Sequence, residues 1–260
     1  MFGQCAATLA PLSATIAPLS LEAREAIDTI VAMGYRAVQW SATQTGMRPR
    51  DLDASSRRGI VTHLRRLGLA CSGVDLFIPS GHFFDAAQVD RAMDAAERAA
   101  ELGRDFGCCP ISIALPEATA SNLAALAPIR AALAEIADRA RVRFVDFSLA
   151  AAQGDASSQN DAIGIGIDPP VLLAAQTDVA GAVARAGPRL ACARVCDLLC
   201  GATRAPAGEP ADAQLDLLAY VAALSVAGLK SNPVADARQW TDPRRGLEET
   251  LQRWQGQVTA

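Results

Sequence analysis

The sequence predicts an α/β protein, a single (β/α)8 barrel spanning residues 1–260. Three observations carry this expectation. The chain has 260 residues, 51% hydrophobic and 20% charged, enough to bury one large core. Short runs of Val, Ile, Leu and small residues alternate with longer Ala/Leu/Arg stretches of helical spacing. About eight such pairs fit, and roughly 250 residues is the usual size of an eightfold β/α barrel.

The elements follow in order. A first strand is expected in Gln4 to Leu9. Leu21 to Met33 reads as a helix, with Ser20 as N-cap and Gly34 past its end, and Ala37 to Ser41 as the second strand. A helix from Leu52 to Leu67 stops at Gly68, and the third strand runs from Ala70 to Leu76. Val89 to Leu102 is a helix closed by Gly103. Pro110 to Leu115 is the fourth strand, Leu123 to Ala140 a helix and Val142 to Phe147 the fifth strand.

After that strand the rhythm fails. Beyond Leu149 the stretch to Asp161 holds only Ala, Gln, Ser, Gly, Asp and Asn, so the helix there is missing or poorly formed. Ala162 to Ile167 is a buried strand, Pro170 to Ala186 a helix opened by proline, and Leu190 to Cys196 a strand. A Pro/Gly-rich loop, Gly201 to Pro210, precedes the helix Leu215 to Val226. Pro233 to Asp236 and Leu247 to Trp254 form the last strand and helix. A doubly wound open sheet is the alternative, but its GxGxxG fingerprint is missing, because Gly164-Ile165-Gly166 lies within a strand.

Composition excludes several chemistries. Lys230 is the single lysine among 24 basic residues, and histidine occurs only at His63 and His82. There is no GxxxxGK[ST] phosphate loop and no Cys/His zinc finger, and a Schiff base would rest on Lys230, at the far end of the barrel. A net charge of -4, with no basic cluster longer than Arg65-Arg66 or Arg244-Arg245, argues against a nucleic-acid footprint. The first twenty residues carry no basic n-region and are broken by Pro11 and Pro18, so neither a signal peptide nor a membrane span is expected, and the location read is cytoplasmic. Seven cysteines, an odd number, fit reduced thiols better than a disulfide framework.

In such a barrel the active site gathers at the C-terminal ends of the strands. Polar residues expected there are Trp40, Ser41, Asp75, Glu117, Asp146, Asp168, Arg194, Asp197 and Asp236. Carboxylates from several strands converge on one pocket, where they can hold a divalent metal or act as acid and base.

The runs AIDTIVAMGYRAVQWSA, GVDLFIP followed by HF, GIGIDPP, LACARVCDL and LDLLAYVAALSVAGL, with a final strand ending in Asp236, resemble the xylose isomerase-like TIM barrel superfamily. The resemblance covers nearly the whole chain and rests on order and spacing. It implies a sugar or sugar-phosphate isomerase or epimerase, working with Mn, Mg, Co or Zn. Its metal site takes a Glu from the fifth strand, an Asp from the sixth, a His from the seventh and a Glu from the eighth.

Laid onto this chain, the sixth position is Asp168 and the eighth Asp236, so these two are the candidate metal ligands and catalytic carboxylates. The fifth position falls on Phe147, with Asp146 beside it and facing the other way. The seventh falls on Arg194, which offers donors only and repels a cation. The histidine that often follows the sixth-strand Asp is replaced by Val171. Two of four positions keep a carboxylate, which sets a working isomerase or epimerase against a non-catalytic barrel that holds a sugar-like ligand or a protein partner.

Arg194 either neutralises Asp168 and Asp236 internally or, with Arg204, binds an anionic group of the ligand. Glu117 is a candidate proton-transfer carboxylate or a cap of its turn. His82, a candidate catalytic residue or else an exposed one, lies in the loop after the third strand, where Phe77, Phe83 and Phe84 either cover a pocket or plug it. Trp40 either walls a sugar pocket or sits in the core. His63, on an arginine-rich helix, reads as a surface residue. Cys192, Cys196 and Cys200, like Cys108 and Cys109, read as small buried hydrophobes.

Overall fold

The computed structural model describes residues 10–107, 109–154, 162–199, 203–208 and 212–258. Eight parallel strands close into a barrel: β1 (Ser13–Thr15), β2 (Ala37–Ser41), β3 (Ala70–Asp75), β4 (Ile111–Ile113), β5 (Phe144–Asp146), β6 (Gly164–Ile167), β7 (Leu190–Val195) and β10 (Val234–Ala235). β10 pairs with β1 to complete the ring. A small antiparallel hairpin, β8 (Asp197–Leu199) and β9 (Thr203–Ala205), stands on the rim after β7.

The helices α1 (Ala23–Ala32), α2 (Ala54–Arg66), α3 (Val89–Asp105), α4 (Leu123–Ala140), α5 (Leu149–Gln153), α6 (Pro169–Ala174), α7 (Val179–Ala186), α8 (Leu217–Val226) and α9 (Pro243–Val258) follow the strands around the outside. Their buried stripes, such as Ala26, Ile27 and Ile30 of α1, pack on outward strand residues such as Val38, Val74 and Ile111 to form the main core. No helix among the described residues is long and apolar enough to cross a membrane.

Several boundaries differ from those read in the sequence. The first barrel strand is Ser13–Thr15, while Gln4 to Leu9 lie outside the described residues. α1 starts at Ala23 with Glu22 as N-cap; Ser20 instead ends a short 3-10 turn in the left-handed region, φ 55°. Gly103 does not end α3, which runs on to Asp105. A Cβ at Gly103 would stand 2.6 Å from Ile111 Cδ1, so the glycine lets the helix lie close on β4.

The single helix expected over 170–186 is two, broken at Gln176, whose φ is 51°, before the polar Thr177-Asp178. α5 is one short piece between a Ser148 cap and Gly154 at φ 77°, as its small and polar composition implies. α9 begins at Pro243, earlier than expected, with Asp242 accepting the Arg245 N–H.

The barrel interior is separate from this shell and more polar. Ser13 and Ser72 hydroxyls meet at 2.6 Å, and Gln39 Nε2 reaches Ser112 Oγ at 3.4 Å. Val145, Phe147 and Cys192 make a small apolar cluster of their own.

Candidate functional site

Three carboxylates and three arginines meet at the C-terminal strand ends. Asp75 ends β3, Asp168 follows β6 and Asp236 follows β10; Arg194 lies on β7, Arg204 on the β9 strand of the hairpin, and Arg238 two residues beyond Asp236. Arg194 donates from Nη1 to Asp168 Oδ2 at 2.6 Å and from Nη2 to Asp75 Oδ1 at 3.0 Å, and its Nε lies 3.5 Å from Asp236 Oδ2. Arg204 reaches both Asp168 oxygens, at 3.2 and 3.0 Å, and Asp236 Oδ2 at 2.6 Å. Arg238 forks onto Asp236 at 2.8 and 2.6 Å and extends Nη1 to Asp75 at 3.1 Å.

All six carboxylate oxygens therefore accept from a guanidinium, and three negative charges face three positive ones. Asp236 is fully buried. Burial alone would raise its pKa, but the charges of Arg238, Arg194 and Arg204 outweigh that and hold the carboxyl well below the usual range.

Arg204 is delivered by the hairpin. Asp197 anchors the hairpin base by accepting the backbone N–H groups of Leu198, Gln214 and Leu215 through Oδ1, at 2.8, 3.1 and 3.0 Å. Beneath the network the Arg194 guanidinium carbon sits 4.0 Å from the centre of the Phe147 ring, a cation–π contact.

The network forms one side of a cavity of about 530 Å³, inside the ~300–1,000 Å³ range of small-molecule sites. Gln39, Ser41 and Ser112 line it opposite the arginines, and Phe77, 64% exposed, stands at its mouth. Gln39 is buried and its Oε1 has no hydrogen-bond partner among the described residues. A larger cavity, about 940 Å³, lies at the other end of the barrel with Lys230 on its rim, away from the strand ends that carry the charged residues.

The structure thus brings together Asp168, Asp236, Arg194 and Arg204. It does not bring Glu117 or His82 to the cavity. Glu117 is exposed and its backbone carbonyl accepts from Asn122 Nδ2, while His82 is half-buried in a 3-10 turn, Ser80–Phe83. The ring of Trp40 is fully buried against Phe106, centroids 5.1 Å apart, and its indole N–H donates to the Met47 carbonyl. Trp40 is thus a core aromatic that also lines the cavity.

Asp146 faces outward, where its Oδ1 accepts from Leu115 and Ser148 N–H groups and its Oδ2 is 3.6 Å from Arg130. Burial raises its pKa against those hydrogen bonds. His63 pairs with Asp28 at the surface. Cys192 and Cys196 are buried, with thiols pushed up to about 12 by burial, as small apolar residues should be. Cys108 and Cys200 lie outside the described residues. Sequence reasoning passed over Arg238 and Gln39. The Asp-x-Arg spacing after the last strand marks Arg238, whereas an interior glutamine in an otherwise apolar strand is the signal for Gln39.

A divalent cation does not fit this arrangement. It would need carboxylate oxygens free to coordinate, and those of Asp75, Asp168 and Asp236 are all engaged by fixed positive charges. Among the described residues no His, Cys, Asp and Glu side chains are grouped so as to hold a metal ion.

No family model matches the sequence, and no curated protein matches it. Solved structures do match in fold. D-psicose 3-epimerase from Clostridium cellulolyticum H10, crystallised with D-tagatose, superposes with TM-score 0.76 over 96% of this chain and 99% of its own, at 12% identity. A xylose isomerase-like TIM barrel protein from Mycobacterium smegmatis in complex with magnesium gives 0.72 over 96% of each chain, at 12% identity. The IOLI protein with a bound zinc atom gives 0.75 over 96% of this chain and 97% of its own, at 13% identity. The chain has the fold of the xylose isomerase-like TIM barrels.

Proposed function

From this fold and this cavity we propose that the protein binds a small sugar-like molecule at the strand ends and does not move protons there through its carboxylates. The observation that carries the reading is the saturation of Asp75, Asp168 and Asp236 by Arg194, Arg204 and Arg238. A general base needs a pKa near the working pH, and a general acid must hold a proton. Asp236, kept far below the carboxylate range, does neither well. Isomerisation or epimerisation, the activity that gives the similarly folded D-psicose 3-epimerase its name, would need such groups.

The cavity supports ligand binding instead. Gln39, Ser41 and Ser112 offer donors and acceptors on one wall, while Phe77 gives an apolar face to a ring. A neutral ligand suits a network whose charges already cancel. An anionic group would compete with three carboxylates for guanidinium Nη donors that are already in use.

Proton NMR in D2O with a panel of ketoses, aldoses and their phosphates tests both halves. The expected result is saturation-transfer signals from at least one sugar with no loss of its carbon-bound protons to solvent deuterium. Deuterium incorporation at a carbon next to the carbonyl would overturn the non-catalytic half, and absence of binding by the whole panel would overturn the ligand class.

A further inference from the structure

We infer that Arg194, seated on Phe147, is a built-in replacement for a divalent cation, and that these two side chains, with Arg204 beside them, make the strand-end site refuse metal ions. The carboxylates come from three separate strand ends, and among the described residues Arg194 is the one side chain that reaches all three: Asp168 at 2.6 Å, Asp75 at 3.0 Å and Asp236 at 3.5 Å. Arg204 and Arg238 each reach two. A single positive centre touching every carboxylate occupies the place a coordinated cation would take, and unlike histidine a guanidinium keeps its charge and has no lone pair to give a metal.

The seat beneath it is built as well. The Phe147 ring offers its negative face to the guanidinium at 4.0 Å and no oxygen to a cation. That ring has room only because the neighbouring strand carries Gly166, where a Cβ would stand 2.6 Å from the ring carbons. Gly166, Phe147 and Arg194 are therefore one packed unit across β5, β6 and β7, with the guanidinium at its top. Removing Arg194 alone leaves the carboxylates facing an apolar ring and frees only Asp75 Oδ1, because Arg204 and Arg238 still hold the other oxygens, so a cation site requires change at Phe147 and Arg204 as well.

This inference stands apart from the ligand-binding reading, since its readout is metal occupancy of the unliganded protein. The experiment titrates Mn2+ into the full chain, previously dialysed against chelator, by calorimetry and by electron paramagnetic resonance of the free ion. The wild type is expected to bind no Mn2+ more tightly than about 1 mM, the weak end of carboxylate cation sites, with no thermal shift. The Phe147→Glu/Arg194→His/Arg204→Gln triple variant, which also releases Asp168, is expected to bind about one equivalent roughly tenfold more tightly or better. Should that variant fail to fold by circular dichroism, Phe147→Gln/Arg194→Gln/Arg204→Gln is measured with the same direction expected. Stoichiometric tight binding by the wild type overturns the inference, and so does a folded variant that takes up no more Mn2+ than the wild type.

Discussion

The guanidinium of Arg194 rests 4.0 Å from the centre of the Phe147 ring, joining β7 to the residue that follows β5 through a cation–π contact. Everything charged at the barrel mouth is arranged around that contact. Asp75, Asp168 and Asp236 hold the guanidinium from above and from the side, and the Tyr220 hydroxyl donates to the Arg194 carbonyl at 2.8 Å.

Arg194→Met should destabilise the fold by about 3–5 kcal/mol, the usual cost of deleting one partner from a buried ion-pair cluster. Arg204 and Arg238 still neutralise part of the carboxylate charge, which places the expectation at the lower end. Urea unfolding measures it. A change under about 1 kcal/mol would show the cluster to be loosely held.

Gly166→Ala should cost about 1–3 kcal/mol, because the added methyl enters the Phe147 ring. Gly256, exposed in α9 with open space at its Cβ position, is the control: its alanine variant should be neutral or more stable by up to about 1 kcal/mol. Thermal unfolding of the two variants side by side checks the contrast.

Acid stability should follow the sign of the two perturbed carboxyls. Asp236 has a folded pKa below its unfolded value near 3.9, so its contribution is present above that value and is lost as pH falls through the folded one. Asp146 has a raised pKa, so its contribution is present below about 3.9 and fades as pH rises through the folded value. Urea unfolding over about pH 2 to 6 should show a positive slope of stability with pH that Asp236→Asn reduces and Asp146→Asn increases.

Much of the barrel was legible in the sequence because buried parallel strands and amphipathic helices write their periods plainly. Seven of the eight barrel strands overlap the expected runs. β1 escaped because Ser13-Ala14-Thr15 is short and carries no Val, Ile or Leu, its interior positions being polar. The α6–α7 break escaped because Leu173 to Asp178 contains neither Gly nor Pro, and the left-handed turn falls on Gln176. At the site, Asp168, Asp236, Arg194 and Arg204 were legible from strand ends and spacing. That Arg194 can neutralise Asp168 and Asp236 was legible too, as one of two alternatives, but the full network was not, because it depends on Arg238 and on Asp75 arriving from another strand.

Ligand binding should separate the residues at the cavity from those near it only in sequence. Gln39→Met removes an unpartnered buried acceptor from the cavity wall and should weaken binding of a sugar-like ligand by about tenfold, roughly one good hydrogen bond. Glu117→Gln and His82→Asn should change it by less than about twofold. Calorimetric titration of the three variants distinguishes them, and a large effect at Glu117 or His82 would place the ligand elsewhere.

The central claim is that an arginine, not a metal ion, sits among Asp75, Asp168 and Asp236. Anomalous diffraction at the manganese edge from crystals soaked in Mn2+ tests it most directly. The expected result is no anomalous peak among the three carboxylates and guanidinium density bridging Asp168 and Asp236. A peak coordinated by Asp168 and Asp236, with Arg194 swung away, would contradict it.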